Sequence, residues 1–92
     1  MSDRIRRRLQ IINEKGLHAR ASAKLVEVVE AHDARATVYK DGLDASGDSI
    51  MGLLMLAGSR GTSIEVETSG PEAEKLANAL EALVADRFGE DF

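Results

Sequence analysis

Thr62-Ser63-Ile64-Glu65-Val66-Glu67-Thr68 alternates polar and apolar side chains without a break. In an extended chain successive side chains point to opposite faces, so this stretch is a strand with one apolar and one wet side. Such a strand needs cover on one side only. The same pattern recurs. Arg8-Leu9-Gln10-Ile11 places Leu9 and Ile11 together, and Ala34 to Lys40 places Ala36 and Val38 opposite Arg35, Thr37 and Tyr39. Asp41-Gly42 then marks a tight hairpin into the short return strand Leu43-Asp44-Ala45. Strands that are each apolar on one face pair into an antiparallel sheet with helices on one side and water on the other.

The segments between the strands change period. From His18 onward Ala21, Leu25, Val28 and Val29 recur at helical spacing, predicting a helix to about Ala31. Ser49 precedes the apolar run Ile50 to Gly58, enough for one to two helical turns ended by Gly58. Ser69-Gly70-Pro71 predicts the start of a last helix, with Pro71 in its first turn and a stripe of Leu76, Ala79, Leu80, Leu83, Val84 and Phe88. The order is β-α-β-β-α-β-α, an α+β chain in two layers: a four-stranded antiparallel sheet with three helices on one face. With 92 residues and no linker or repeat, residues 1–92 read as one domain.

Composition narrows the function. Tyr39, Phe88 and Phe92 are the only aromatics, so the core rests on aliphatic side chains. Cysteine is absent, which removes disulfides and thiolate metal sites, and no metal-ligand cluster is evident. The formal charge of −4 argues against a nucleic-acid partner. The basic start Asp3-Arg4-Ile5-Arg6-Arg7-Arg8 reads as the solvated beginning of a strand. No apolar leader follows it and no stretch reaches the ~20 apolar residues of a membrane span. A soluble, cytoplasmic protein is expected. Glu27, Glu30, Glu65, Glu67, Glu72, Glu74 and Glu81 read as solvated charges. His32, after the first helix, reads as a residue satisfying the helix C-terminus.

Lys15-Gly16-Leu17-His18-Ala19-Arg20-Ala21-Ser22 carries the best placed histidine. Gly16 lets the backbone approach closely. A helix start offers free amides, here around Ala19 and Ala21, and the positive end of its dipole. Arg20 adds a permanent forked cation suited to phosphate oxygens. An imidazole at this place is set to carry a phosphoryl group, yet the spacing alone fits phosphate binding and simple capping about equally.

Gly-Leu-His-Ala-Arg at 16–20 resembles the active-site segment of the HPr family, the histidine phosphocarriers of the bacterial phosphoenolpyruvate-dependent phosphotransferase system. Ser49 to Gly58 resembles that family's regulatory-serine segment and short second helix, and the element order matches over nearly the whole chain. The resemblance implies an open-faced β-sandwich. It implies that His18 is phosphorylated on Nδ1, that Arg20 stabilises the phosphoryl group, and that Ser49 is the target of a dedicated kinase in some bacteria. Ile50, Met51 and Leu54 match positions that dock enzyme I and IIA proteins. His18 would then accept a phosphoryl group from phospho-enzyme I and pass it to a IIA histidine, the chain acting as a monomeric carrier without cofactor and not as an enzyme. One departure stands out: Ala21 occupies the place where the family usually has proline.

Other readings of these segments remain open. Ser49 before an apolar run is also a helix N-cap, compatible with phosphorylation. The run after it is too apolar for one buried face, so Leu53 and Leu56 are expected to turn inward and Ile50, Met51 and Leu54 outward. A nitrogen-branch regulatory carrier of the same family is the alternative function. A non-catalytic interaction module of the same fold is the alternative from another class.

Overall fold

The computed structural model describes residues 4–92. Its elements are β1 (Ile5–Gln10), α1 (Ala19–Glu30), β2 (Arg35–Lys40), β3 (Leu43–Ser46), α2 (Ile50–Met55), β4 (Ser63–Ser69) and α3 (Ala73–Ala85), followed by a single 3-10 turn at Arg87–Gly89. All pairings are antiparallel and the strand order is β1-β4-β2-β3, so β4, the most regular strand of the sequence, lies between β1 and β2. Three helices pack on one face of this four-stranded sheet, as the one-sided strands predict. Asp3, the first residue of the basic start, lies outside the described residues.

Alternation sorts the two faces. Leu9, Ala36, Val38, Ala45, Ile64 and Val66 are buried beneath the helices. Thr68 joins them because its hydroxyl donates to the Ala73 carbonyl (2.8 Å), which satisfies a polar group in an apolar layer. On the open face Arg6 lies between Glu65 (3.6 Å) and Glu67 (3.3 Å), with its guanidinium 4.8 Å from the centre of the Tyr39 ring. The glutamates of β4 are therefore paired across strands. Arg7 points the other way and bridges to α3, at 2.8 Å from Asn78 Oδ1 and 2.7 Å from Glu81 Oε2. The basic start is thus solvated only in part, because strand alternation alone directs Arg7 towards the helical layer.

The helices depart from the sequence pattern at their ends. In α1 the buried set is Ala21, Ser22, Leu25, Val26 and Val29, so Val26 joins the stripe, and Val28 is half-buried against the edge of the core. In α2, Leu53 and Leu56 are buried as expected. Pro71 precedes α3 instead of opening it; the chain turns through Gly70 (φ +106°), and Glu72 holds the N-cap position. Ala77 is buried in addition to the expected stripe, and Ala79 and Leu83 are half-buried at its edge. Phe88 is fully buried but lies beyond α3. Arg87 (φ +56°), Phe88 (φ +54°) and Gly89 (φ +78°) are all left-handed, and this reversal swings the ring back into the core.

Asp41 (φ +51°) and Gly42 (φ +81°) form the expected two-residue hairpin with both residues left-handed. His32 Nδ1 meets the Val28 carbonyl at 2.7 Å, in keeping with its reading as a residue that satisfies the end of α1. Because Phe88 is the largest fully buried side chain, Phe88→Ala is expected to cost about 3–5 kcal/mol, measured by urea unfolding, and to release the residues after it.

Candidate functional site

His18 ends the loop that leaves β1. That loop is held by two close approaches of backbone. Gly16 is left-handed (φ +64°), and a Cβ there would lie 2.3 Å from the Gly58 carbonyl oxygen. Leu17 N–H donates to the same carbonyl at 2.8 Å. Gly16 therefore serves a close contact with the end of the α2 segment. The result is that His18 emerges beside α2 from a backbone with little freedom.

His18 occupies the N-cap backbone position of α1, in extended conformation, but its ring makes no capping hydrogen bond. Capping by the imidazole is therefore ruled out in favour of a different contact. Nε2 is hydrogen-bonded to Glu90 Oε2, across 72 residues of sequence. The first bond of the helix runs from Ser22 N–H to the His18 carbonyl (2.8 Å). The amides of Ala19, Arg20 and Ala21 precede it and are the free donors of the helix start. Ala21 itself is fully buried, so the alanine in the usual proline place packs in the core and keeps its N–H.

Glu90 is enclosed, its side chain 14% exposed against 25% for His18. Its second oxygen accepts from Asn13 Nδ2 at 2.9 Å, and Asn13 Nδ2 also donates to the Gly16 carbonyl at 2.8 Å. Asn13 is fully buried, with Oδ1 unpartnered. Desolvation works against the Glu90 charge. The hydrogen bonds from Asn13 and His18, with the charges of His18 and Lys15, outweigh it and hold the carboxyl below the usual range. Neither Asn13 nor Glu90 stands out in the sequence: one sits in a polar loop, the other in an acidic tail, and no spacing rule connects them.

The tail that carries Glu90 is anchored. Lys24 Nζ donates to the Phe88 carbonyl (2.7 Å), and Glu14 N–H to the Phe92 carbonyl (3.0 Å). Between the tail and α1 lies an open cavity of about 290 Å³ lined by Glu14, Lys15, Arg20, Lys24 and residues 89–92. Arg20 is exposed and faces this cavity, which His18 meets through Glu90. The site thus places His18 and Arg20 at the helix start, next to a cavity whose lining mixes the cations Lys15, Arg20 and Lys24 with the carboxylates Glu14, Glu90 and Asp91.

Ser49 stands apart from these groups, at the N-cap of α2, where its Oγ accepts from Gly52 N–H at 3.0 Å. Ile50 and Leu54 are each 40% exposed and Met51 76%, as expected, and Met55 adds a further exposed apolar side chain at 76%. Among the described residues no group of three or more His, Cys, Asp or Glu is placed to hold a metal ion, and no helix is long and apolar enough to cross a membrane.

This arrangement has known relatives. The family model "PTS HPr component phosphorylation site" matches residues 5–86. The chain belongs to the HPr family. It is 42% identical to phosphocarrier protein HPr of Cupriavidus necator over 86 residues, covering 94% of this chain and 97% of that protein. It is 38% identical to phosphocarrier protein NPr of Escherichia coli K12 over 88 residues, covering 95% and 98%. Among solved structures, an HPr from Thermoanaerobacter tengcongensis superposes with a TM-score of 0.90 at 31% identity, covering 96% of this chain and 99% of that one. The phosphocarrier family, the phosphotransferase system it serves and the open-faced fold are those that the two sequence segments implied.

Two consequences can be measured. Ser49→Ala is expected to cost about 0.5–2 kcal/mol in urea unfolding, from loss of the α2 cap. Glu90 carries a lowered pKa, so its contribution to stability is complete above the ordinary value of 4.5 and is lost as pH falls through the lower folded value. Between pH 6 and pH 3 the urea midpoint of Glu90→Gln should therefore fall less than that of the native chain.

Proposed function

We propose that this chain carries a phosphoryl group on His18 Nδ1, taken from the phosphohistidine of enzyme I and passed to a histidine of a IIA protein. The observation that supports this most is the ring's setting. Its Nε2 is occupied by Glu90, while the other nitrogen has no partner among the described residues and belongs to a residue at a helix start beside Arg20. Free amides and a guanidinium stabilise a phosphoryl dianion without a metal. The stabilisation is moderate because Arg20 and the cavity are open to water, as onward transfer requires.

The carrier acts as one domain of residues 1–92, a monomer in the cytoplasm. Ile50, Met51 and Leu54, with Met55, form the apolar surface that enzyme I and IIA proteins cover in turn. Methionine suits a surface that repacks against several partners. This patch is held beside His18 by the bond between Leu17 and Gly58. Phosphorylation of Ser49 by an HPr kinase/phosphorylase would replace its capping hydroxyl with a dianion at the rim of the patch and weaken docking of acidic partners. A nitrogen-branch role is the second reading, favoured by the 38% identity to an NPr over nearly the full length of both chains.

Incubation with phosphoenolpyruvate and enzyme I is expected to give an acid-labile, base-stable phosphoprotein. His18→Ala should give none, and Arg20→Ala should slow transfer by at least about tenfold. Labelling of His18→Ala equal to that of the native chain would overturn the assignment. A panel of sugar-branch and nitrogen-branch IIA proteins as acceptors separates the two readings.

A further inference from the structure

The carboxylate behind the His18 ring has a task of its own. We propose that Glu90 is the positioning residue of the carrier: it fixes the ring through Nε2 so that Nδ1 alone is presented to the donor, and it keeps the Nε2 proton in place while the phosphoryl group is aboard. This deepens the phosphocarrier reading and rests on it.

An ionised carboxylate only accepts hydrogen bonds, so its contact with Nε2 places the ring proton there. A neutral imidazole carries one N–H, which leaves the lone pair on Nδ1. Glu90 is itself held by a residue that cannot turn. Both partners of Asn13 Nδ2, the Gly16 carbonyl and Glu90 Oε1, are acceptors, so the amide orientation is set by them. Asn13 thereby joins the loop before His18 to the carboxylate behind it. The buried Phe88 ring and the Lys24 and Phe92 contacts hold the same stretch of chain. Other charges line the cavity: Glu14 and Lys15 from the loop, Arg20 and Lys24 from α1, and Asp91 from the tail. Among the described residues Glu90 is the one side chain hydrogen-bonded to the ring.

In the loading step the Nδ1 lone pair attacks the phosphorus of the donor phosphohistidine. A new N–P bond forms while the donor N–P bond breaks, its electron pair returning to the donor ring. His18 then holds a phosphoryl group on Nδ1 and a proton on Nε2, an imidazolium balanced by Glu90. In unloading, the acceptor nitrogen attacks phosphorus and the electron pair of the broken bond returns to Nδ1. The Nε2 proton stays throughout, so no proton has to be found or released. A ring that has lost this proton is a poorer leaving group, and the carboxylate is what opposes that loss.

The test uses the full chain with 15N-labelled imidazole, unmodified and after phosphorylation by phosphoenolpyruvate and enzyme I, as native protein, Glu90→Gln and Glu90→Ala. In the unmodified native protein the neutral ring is expected almost wholly as the Nε2–H tautomer, with a mixture in Glu90→Ala. In the phosphorylated form, Nε2 should deprotonate at least about one pH unit lower in both variants than in the native protein. Onward transfer at pH 8 should then fall about tenfold in the variants, with a smaller difference at pH 6. A purely structural role for Glu90 would lower the urea midpoint without moving tautomer or titration. Variants that keep native amide spectra and also keep the native tautomer and titration would overturn the proposal. If the native protein is not phosphorylated at His18, the carrier reading falls, and the proposed role after transfer falls with it. The tautomer measurement on unmodified protein then still decides whether Glu90 fixes the ring.

Discussion

The bond from Leu17 N–H to the Gly58 carbonyl, with Gly16 packed against the same oxygen, is the contact on which the site depends. It ties three segments at one corner: the exit from β1, the start of α1 and the end of the α2 segment. A side chain on Gly16 would push them apart, since its Cβ would lie 2.3 Å from the Gly58 backbone oxygen. Through this corner the apolar patch of α2 is kept beside His18. The docking and transfer proposed for this chain require that spacing to be stiff.

Around this corner the molecule divides its work by layer. The covered face of the sheet supplies burial, and the open face supplies a ladder of opposite charges across strands. Such exposed pairs are worth little singly, so the fold is held by the apolar layer closed at its end by Phe88. The left-handed run from Arg87 to Gly89 has two effects at once. It returns Phe88 to the core and places Glu90 against His18. Backbone strain of this kind persists where surrounding contacts over-determine it, here the buried ring and the Lys24 bond.

Much of this was legible from local pattern. Strand alternation sorted Leu9, Val38, Ile64 and Val66 to one face, and the inward and outward residues of α2 followed from an excess of apolar surface. The width of the buried stripe was missed at its boundary, where Val26 and Ala77 are buried and Val28 and Ala79 only half-buried. Pro71 and Phe88 were drawn into α3 because composition marks a helix start or stripe without showing that the backbone turns first. Arg7 was grouped with its arginine neighbours although alternation placed it on the helical side.

At the site, His18, Arg20 and Ser49 announce themselves because helix starts are local and their chemistry depends on residues a few positions apart. Asn13 and Glu90 do not. Their roles arise from a contact that joins the two ends of the chain, and no periodicity encodes it. The sequence by itself determined the layer architecture and the cap of α2, since each rests on short-range geometry, and it marked His18 as the candidate phosphate carrier through the resemblance of two segments to the HPr family. Only the tertiary structure decided which nitrogen of His18 is occupied, because that depends on where the chain's last turn brings a half-buried carboxylate.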